Sequence, residues 1–319
     1  MKIVKATEDN IRISAGIIKK GGLVAFPTET VYGLGADALN PIAAASIFEA
    51  KKRPFFDPLI VHIADLSDVE RVARNVASKG LKLMERFWPG PLTIVLEKLD
   101  IVPDIVTSGL ATVAVRMPVH PAARGLIREA GTPIAAPSAN RFGCLSPTTA
   151  EHVYNQLGDS VDMILDGGPC SIGIESTIVK IMNNRIYLLR PGGIAPEEIE
   201  DFTGEVLLAG YPKNKPEAPG QLPYHYSPEK QVILVDKITR TEERSGYLFF
   251  KQPESPYRED KSRVLSAKGD LREAASNLFA YLHWLDTLDI DKIYVERVEG
   301  SGLGVAIMDR LKKASMKYI

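Results

Sequence analysis

One stretch of the chain, residues 21–63, constrains its fold more than any other. It contains two short apolar runs, residues 23–26 and 59–63, that have the length of buried strands. Between them lie a turn rich in hydroxyl groups and glycines, residues 27–35, and a helix that ends in Lys51-Lys52-Arg53. A glycine turn and a cationic helix end can together hold an anion against backbone amides. The stretch therefore predicts strand, turn, helix and strand in a shape that suits an anionic ligand.

Helix and strand signals mix throughout the first two hundred residues. Thr7, Asn40-Pro41 and Ser67 have the character of helix starts, and the last of them predicts a helix over residues 67–76. Strand-like apolar runs follow at residues 92–96, 112–116, 134–136, 163–165, 177–181 and 185–189. The spacing lacks the even alternation of strand and helix that a Rossmann fold or a barrel needs. We therefore predict an α/β domain with a twisted mixed sheet over residues 1–206.

A second domain is predicted after a change of composition near residue 206. Residues 207–230 are rich in proline and lack periodicity, which is typical of an extended linker. Residues 231–319 contain strand runs and two helical patterns, which predict a smaller, Rossmann-like α/β domain. The aromatic group Tyr224-His225-Tyr226 leaves two interpretations of the linker open. It is either a spacer whose rings rest on a domain surface or a lid that folds over a site.

Charge and cysteine content exclude several classes of protein. Lys and Arg number 39 and Asp and Glu 40, so bulk charge predicts no general attraction to nucleic acid or to an anionic membrane. Cys144 and Cys170 are too few for a disulfide scaffold or a thiolate zinc cluster; they could pair, but two free thiols are expected. No apolar segment approaches the ~20 residues that span a bilayer, and the acidic N-terminus does not resemble a signal peptide. A cytoplasmic location is expected.

The familiar short motifs of catalysis are missing from the sequence. Residues 300–304, GSGLG, resemble a dinucleotide fingerprint, but Val305 stands where the third spaced glycine belongs, so a tight strand-to-helix turn is predicted. Neither a P-loop, an HExxH pair nor a GxSxG elbow occurs. The five histidines have no metal-ligand spacing, and we predict no protein-bound metal site.

Cations and hydroxyl groups recur instead at strand ends. Arg116 and Arg190 each end an otherwise apolar run, where an arginine costs desolvation free energy unless an anion or a carboxylate meets it. Hydroxyl and amide groups follow other runs in the sequences PSAN, at residues 137–140, and GIEST, at residues 173–177. Each group alone is an ordinary loop residue. Together they suit a ligand with several phosphates and a small polar acid.

The ordered series of motifs resembles one family. FPTETVYGLGADA, KKRPFFDPLIVHI, TVAVRMP, PSAN, GIEST and LLRPGG follow one another as they do in the threonylcarbamoyl-AMP synthases, over roughly residues 5–200. The linker PGQLPYHYSP and the C-terminal region resemble the long, two-domain form of that family. The resemblance implies a YrdC-like catalytic domain at residues 1–206.

The resemblance also implies an activity. L-threonine, bicarbonate and ATP would become threonylcarbamoyl-AMP and pyrophosphate, an adenylyl transfer to N-carboxy-threonine. Magnesium would accompany ATP and be held mainly by its phosphates. A downstream tRNA threonylcarbamoyl transferase complex would use the product to form N6-threonylcarbamoyladenosine in tRNA, and tRNA itself is a further candidate partner.

The family's functional residues fall on defined positions of this chain. The implied catalytic tetrad is Lys51, Arg53, Ser138 and Asn140. The implied threonine pocket is Thr30, His62, Arg116, the backbone of Ala136, and Ser176. The implied ATP contacts are Lys51, Arg53, Asp57, Thr112, Ser138, Asn140, Ser146, Arg190 and, in the linker, His225. Position 57 departs from the family, which commonly has asparagine there.

Two alternatives compete with this interpretation. One is a carbamoyl-adenylating relative that acts in hydrogenase maturation, but that form carries zinc fingers for which this chain lacks the cysteines. The other is a non-enzymatic protein that binds double-stranded RNA or assists ribosome assembly. The net charge of -1 and the lack of basic runs beyond residues 51–53 count against it.

Overall fold

The computed structural model describes residues 2–209, 216–222, 226–254 and 257–318. Within this part of the chain the backbone forms two sheets, one of twelve strands and one of four. The large sheet mixes parallel and antiparallel pairs, whereas the small sheet is parallel throughout. Two α/β units of unequal size, the larger on a mixed sheet, confirm the predicted fold class.

The strands of the large sheet are short and mostly buried. In chain order they are β1 (Ile3–Lys5), β2 (Val24–Phe26), β3 (Gly33–Asp37), β4 (Ile60–His62), β5 (Ala73–Arg74), β6 (Leu92–Lys98), β7 (Thr112–Arg116), β8 (Ile134–Ala135), β9 (Met163–Asp166), β10 (Thr177–Met182), β11 (Arg185–Arg190) and β12 (Leu208–Ala209). Their order across the sheet is β1-β9-β2-β3-β8-β4-β7-β6-β10-β11-β12, and β5 pairs with β6. Strands distant in sequence therefore lie side by side.

Helices pack against both faces of this sheet. They are α1 (Glu8–Lys19), α2 (Pro41–Lys51), α3 (Ser78–Phe87), α4 (Asp104–Thr107), α5 (Pro121–Ala130), α6 (Ala150–Leu157) and α7 (Pro196–Thr203). The predicted caps at Thr7 and Asn40 are confirmed, because each side chain accepts a hydrogen bond from an amide in the first turn of its helix. Pro41 occupies the first position of α2, where a missing N–H costs nothing.

The predicted helix over residues 67–76 is wrong. A short 3-10 helix, Leu66–Arg71, occupies the first part of that segment, and Asp65 rather than Ser67 is its N-cap. The chain then extends as β5 and pairs with the end of β6. Antiparallel pairing gives these backbone groups partners in the sheet, and this tertiary pairing overrides the local helix signal.

One face of the large sheet is divided between two covers. At β2, β8 and β9, helices α1 and α5 bury a cluster that includes Ile18, Phe26 and Leu126. At β4, β7, β6 and β10, the linker residue Ala218 packs on a second cluster that includes Ala114. The sheet surface between these covers carries the polar ends of β4 and β7.

The small sheet belongs to the C-terminal unit. It contains β13 (Gln231–Val235), β14 (Ser245–Phe249), β15 (Ser262–Val264) and β16 (Lys292–Glu296) in the order β13-β16-β14-β15, with helices α8 (Leu271–Asp286) and α9 (Gly304–Ser315). Residues 300–303 form the tight turn predicted between β16 and α9. In the described part of the chain, no helix combines the length and the apolar character that a membrane crossing requires.

The two units share a hydrophobic core. Val31, Leu145 and Ile174 of the first unit pack in one cluster with residues of α8 such as Phe279 and Leu282. Both cysteines, Cys144 and Cys170, are free thiols, as expected. The C-terminal unit is therefore packed directly against loops of the large sheet.

A stacked histidine pair lies at this junction. The rings of His152, on α6, and His283, on α8, are 3.9 Å apart at 20°. Burial and the neighbouring His283 lower the pKa of His152 to about 3, and burial lowers the pKa of His283 to about 4. Both rings are therefore neutral in the folded protein near pH 7.

We expect this pair to make the fold sensitive to acid. The unfolded chain takes up protons near pH 6.5, whereas the folded pair does not, so stability present above that pH is lost as pH falls toward the folded pKa values. His283 alone should cost on the order of 2 kcal/mol at pH 5. Urea unfolding at pH 7 and pH 5 measures the loss, which should be smaller in His283→Gln; an equal loss in both proteins would contradict the assignment.

Candidate active site

A cavity opens on the large sheet between the two covers. The lining residues are Thr28, Thr30, Val31, Gly33, Arg53, Ile60, His62, Arg116, Ala136, Pro137, Ser138, Glu175, Ser176, Arg190, Pro219, Gly220 and Tyr226. All five residues of the implied threonine pocket are among them, together with three of the implied ATP contacts, Arg53, Ser138 and Arg190.

The register of two parallel strands places the centre of the cavity. β4 pairs with β7 so that His62 lies opposite Arg116. Side chains alternate along a strand, so Ala114 and Thr112 point to the same face as Arg116. Thr112, however, lies four residues back, roughly 13 Å along the strand, and is not among the lining residues. The structure does not bring Thr112 to the cavity.

Arg116 is buried and partly paired. Its Nη2 donates to Glu29 Oε1 at 2.6 Å, its Nη1 to Thr30 Oγ1 at 2.9 Å, and its Nε to the carbonyl of Gly90 at 3.3 Å. The other oxygen of Glu29 accepts the amide of Val119. A guanidinium has five N–H donors, so these contacts leave two that can meet a planar carboxylate.

His62 is neutral and incompletely bonded. Burial and the nearby charge of Arg116 lower the pKa of His62 to about 3. Its Nδ1 is buried and has no hydrogen-bond partner among the residues that the structure describes. A buried ring nitrogen without a partner costs free energy unless a ligand meets it. His62 therefore offers the cavity one polar atom.

Lys51 and Asn140 lie behind the wall of the cavity and shape it. Lys51 ends α2, is 1% exposed, and donates from Nζ to the carbonyl of Ser138 at 2.5 Å and to the carbonyl of Asn140. The hydroxyl of Ser138 donates to Asn140 Oδ1. Burial and the charge of Arg53 lower the pKa of Lys51 well below its usual value. Lys51, Ser138 and Asn140 therefore form one hydrogen-bonded group, and of the implied tetrad Arg53 and Ser138 line the cavity.

Asp57 is the counter-ion of Arg53. Its carboxylate is fully buried and lies 2.9 Å from Arg53 Nη2, although neither oxygen has a well-aligned hydrogen bond among the described residues. The same guanidinium donates to the carbonyls of Asp57 and Pro58. Burial raises the pKa of Asp57 and lowers that of Arg53, because each charge has lost water. Asp57 faces Arg53 and not the cavity.

The opposite wall is built from β10 and β11. Arg190 donates from Nε and Nη2 to the carbonyl of Ser176, at 3.1 and 2.9 Å, and from Nη2 to its hydroxyl at 3.1 Å. Gly192 lets the chain after β11 pass this loop, since a Cβ there would lie 2.3 Å from the backbone carbon of Ser176. Thr93 shares a hydrogen bond of 2.7 Å with the Ser176 hydroxyl.

Part of the linker covers the cavity. Pro219, Gly220 and Tyr226 line it, and Arg190 donates to the carbonyl of Pro219. Gly220 has φ +81°, and a Cβ there would lie 2.5 Å from the hydroxyl of Tyr226. The described linker residues thus fold back over the site, which favours a cover over a spacer. His225, predicted to contact ATP, lies outside the described residues.

Several residues of the site were missed by sequence reasoning. Glu29 lies in the motif FPTETVYGLGADA and Glu175 lies in GIEST, but neither motif indicates which cation its carboxylate contacts. Glu175 accepts Ser146 Oγ at 2.5 Å and Arg310 Nε at 2.7 Å, so Ser146 is reached through Glu175 and is not a lining residue. Arg310 had one usable signal, because it is a charged residue on the buried stripe of α9. The described residues contain no group of three or more potential metal-ligating side chains.

The chain is similar to known proteins over nearly its whole length. A family model for Sua5, YciO and YrdC proteins, described as telomere recombination, matches residues 16–192, and one described as the threonylcarbamoyl-AMP synthase C-terminal domain matches residues 194–316. The threonylcarbamoyl-AMP synthase of Pyrococcus abyssi is 45% identical over 97% of this chain and 94% of its own. The synthase of Bacillus subtilis is 41% identical over 98% and 94%.

A solved structure is also similar to this chain over nearly its whole length. The crystal structure of P. abyssi Sua5 complexed with L-threonine has a TM-score of 0.88 and 42% identity, and the match covers 98% of this chain and 96% of that one. The fold and the site thus define a two-domain protein of the Sua5, YciO and YrdC class. The chain belongs to the threonylcarbamoyl-AMP synthase family, a family of enzymes.

Proposed function

We propose that this protein is an L-threonylcarbamoyladenylate synthase, which converts L-threonine, bicarbonate and ATP to threonylcarbamoyl-AMP and pyrophosphate. The observation that supports the proposal most directly is the cavity on the large sheet. There the five residues implied for threonine converge in a chain that resembles synthases over nearly its full length. On that basis we place L-threonine, the ligand of the P. abyssi relative, in this cavity.

Threonine would bind by its polar groups to the centre of the cavity. Its carboxylate suits the two donors of Arg116 that other residues leave available, a bidentate charge-assisted contact. The neutral ring of His62 would offer Nδ1 to the hydroxyl or the amine. The rim formed by Ser176 and the backbone of Ala136 would then confine the small side chain.

ATP would occupy the part of the cavity between Arg53, Ser138 and Arg190. The amine of threonine attacks bicarbonate and, with loss of water, gives a carbamate. A carbamate oxygen then attacks the α-phosphorus, and the bond to pyrophosphate breaks. This chemistry needs cations along the phosphates and a fixed approach direction, and no covalent nucleophile of the protein. Two buried guanidinium groups and the hydroxyl of Ser138 provide such an environment.

Magnesium is proposed to arrive with the nucleotide. When bound, it would neutralise charge on the phosphates. The described residues of the cavity offer Glu175 as a carboxylate, and it is already paired with Arg310, so the ATP phosphates are the better ligands.

The product would serve tRNA modification. We propose that it passes to a tRNA threonylcarbamoyl transferase complex in the cytoplasm, as the first step of N6-threonylcarbamoyladenosine formation. Direct binding of tRNA through the tetrad cations is not favoured, because Lys51 and Arg53 are only 1% and 5% exposed. RNA contacts depend on accessible cations that neutralise phosphates.

Substrate dependence tests the proposal. Pyrophosphate release from ATP, followed by a coupled phosphate assay, should require threonine and bicarbonate together, and carbamoyl phosphate should not replace them. Equal ATP turnover with threonine omitted would contradict the synthase function. Salt-dependent RNA binding without nucleotide turnover would instead favour the RNA-binding alternative.

A further inference from the structure

Arg310 is an unusual residue of the C-terminal unit. It lies on α9, yet it is 1% exposed and is among the largest fully buried side chains of the described residues. Nε donates to Glu175 Oε2 at 2.7 Å, and Nη1 donates to Asp309 Oδ2 at 2.6 Å. Nη2 is buried without a hydrogen-bond partner among the residues described. Burying a guanidinium costs desolvation free energy, which indicates that Arg310 has a role beyond packing.

The partner of Arg310 belongs to the cavity. Glu175 lines it, and the second carboxylate oxygen of Glu175 accepts the hydroxyl of Ser146. Burial alone would raise the pKa of Glu175, but Arg310 and Arg190 outweigh it and hold that pKa below its usual value. The Glu175 carboxylate therefore stays charged. Its two oxygens are held by Arg310 of α9 and by Ser146, one of the implied ATP contacts.

A second contact of Arg310 reaches the cover of the cavity. Its guanidinium carbon lies 5.0 Å from the ring centroid of Tyr226, within the range of a cation–π contact. Tyr226 lines the same cavity and is 1% exposed. Lys313, one turn along α9, donates to the carbonyl of Gly220 at 2.7 Å. One helix of the C-terminal unit thus holds both the wall and the cover of the site.

We propose that Arg310 is a positioning residue for the nucleotide part of the site, which it controls through Glu175, Ser146 and Tyr226. The inference rests on the proposed function, because the cavity wall at Glu175 matters to catalysis only if a nucleotide binds there. Arg310 does not line the cavity. It fixes the orientation of a charged acceptor and an aromatic ring that do lie at the cavity.

The test compares nucleotide and threonine affinity in variants of the full chain. Arg310→Met should weaken ATP binding by roughly 10- to 100-fold, as expected for loss of a charge-assisted contact that orders the site, and should raise KM for ATP similarly. Threonine affinity, measured by calorimetry, should change by less than about 3-fold, since the five threonine residues keep their partners. Arg310→Lys should restore part of the ATP affinity.

Two further variants make the result specific. Arg244→Met removes an arginine of the same unit that is paired with Asp289 and Asp291 on the surface, and it should bind ATP as the wild type does. Glu175→Gln combined with Arg310→Met should be no worse for ATP than Arg310→Met alone, because the arginine acts through the carboxylate. Additive losses, or equal losses of ATP and threonine affinity, would overturn the positioning role.

Failure of the proposed function is recognisable separately. If the wild-type chain binds neither ATP nor threonine, the proposed function fails and the role of Arg310 fails with it. If the wild type binds both but Arg310→Met leaves ATP affinity unchanged, only the inference about Arg310 is overturned. Should Arg310→Met not fold, as judged by its thermal melt, Arg310→Lys and Glu175→Gln decide the question by the same two affinities.

Discussion

Replacing Arg116 with alanine is expected to abolish threonine binding and to stop pyrophosphate release. The guanidinium is the cation proposed to hold the threonine carboxylate, and it also neutralises Glu29 at 2.6 Å inside the protein. Breaking a buried ion pair from one side costs about 3–5 kcal/mol, because the remaining charge stays buried. We expect threonine affinity to fall at least ~100-fold, because two charge-assisted hydrogen bonds of about 1.5–3 kcal/mol each are lost and each 1.4 kcal/mol is a factor of ten. Calorimetric titration with threonine measures the effect.

Controls separate binding from folding in this experiment. Arg128→Ala removes an exposed arginine paired with Asp65 and should leave threonine affinity unchanged. Arg116→Lys keeps the charge but loses the planar fork, so it should fold and still bind threonine poorly. Threonine affinity within about 3-fold of the wild type in a folded Arg116→Ala or Arg116→Lys protein would refute the assignment.

Replacing Lys51 with methionine is expected to reduce turnover by ~100-fold or more while threonine still binds. Lys51 Nζ holds the carbonyls of Ser138 and Asn140, and its loss leaves both buried acceptors without their donor. Each unsatisfied buried group costs about 1–3 kcal/mol, so the turn that presents the Ser138 hydroxyl should relax. Thr30, His62, Arg116 and Ser176 lie on other segments and keep their contacts. Steady-state kinetics and threonine titration on the same preparation measure the two effects.

The neighbouring residue supplies a matched control. Lys52 carries the same side chain one position further on, but it is exposed and is the C-cap of α2. Lys52→Met should retain wild-type turnover within about 2-fold, as surface substitutions usually do. If Lys51→Met and Lys52→Met lose the same activity, or if neither loses any, Lys51 is not the residue that organises the turn.

Local sequence signals were sufficient to predict elements that depend only on neighbouring residues. The caps at Thr7 and Asn40 follow from one side chain meeting amides two or three residues away, and the apolar run of β7 needs only its own composition. The helix prediction for residues 67–76 was wrong because the conformation of that segment depends on a strand distant in sequence. Ala73 pairs with Lys98 of β6. Helix propensity is worth little against such pairing.

The sequence motifs identify the site residues, whereas the tertiary structure sets their geometry. The ordered motifs singled out Thr30, His62, Arg116 and Ser176, and these side chains do meet at one cavity. Their burial and partners depend on strand order, because β4 and β7 become neighbours only when the sheet forms. Thr112, on the same strand as Arg116, falls outside the cavity because it lies roughly 13 Å away along that strand.

The sequence by itself determined the chemical groups of this protein and their order along the chain, since propensity, capping and motif order are properties of neighbouring residues. Only the tertiary structure decided which charges are paired and which face the cavity. Asp57 meets Arg53 in place of the cavity, and Arg310 crosses from the C-terminal unit to Glu175. The pairing of Arg310 with Glu175, 135 residues apart, requires the desolvated interior that packing creates, and no local pattern encodes it.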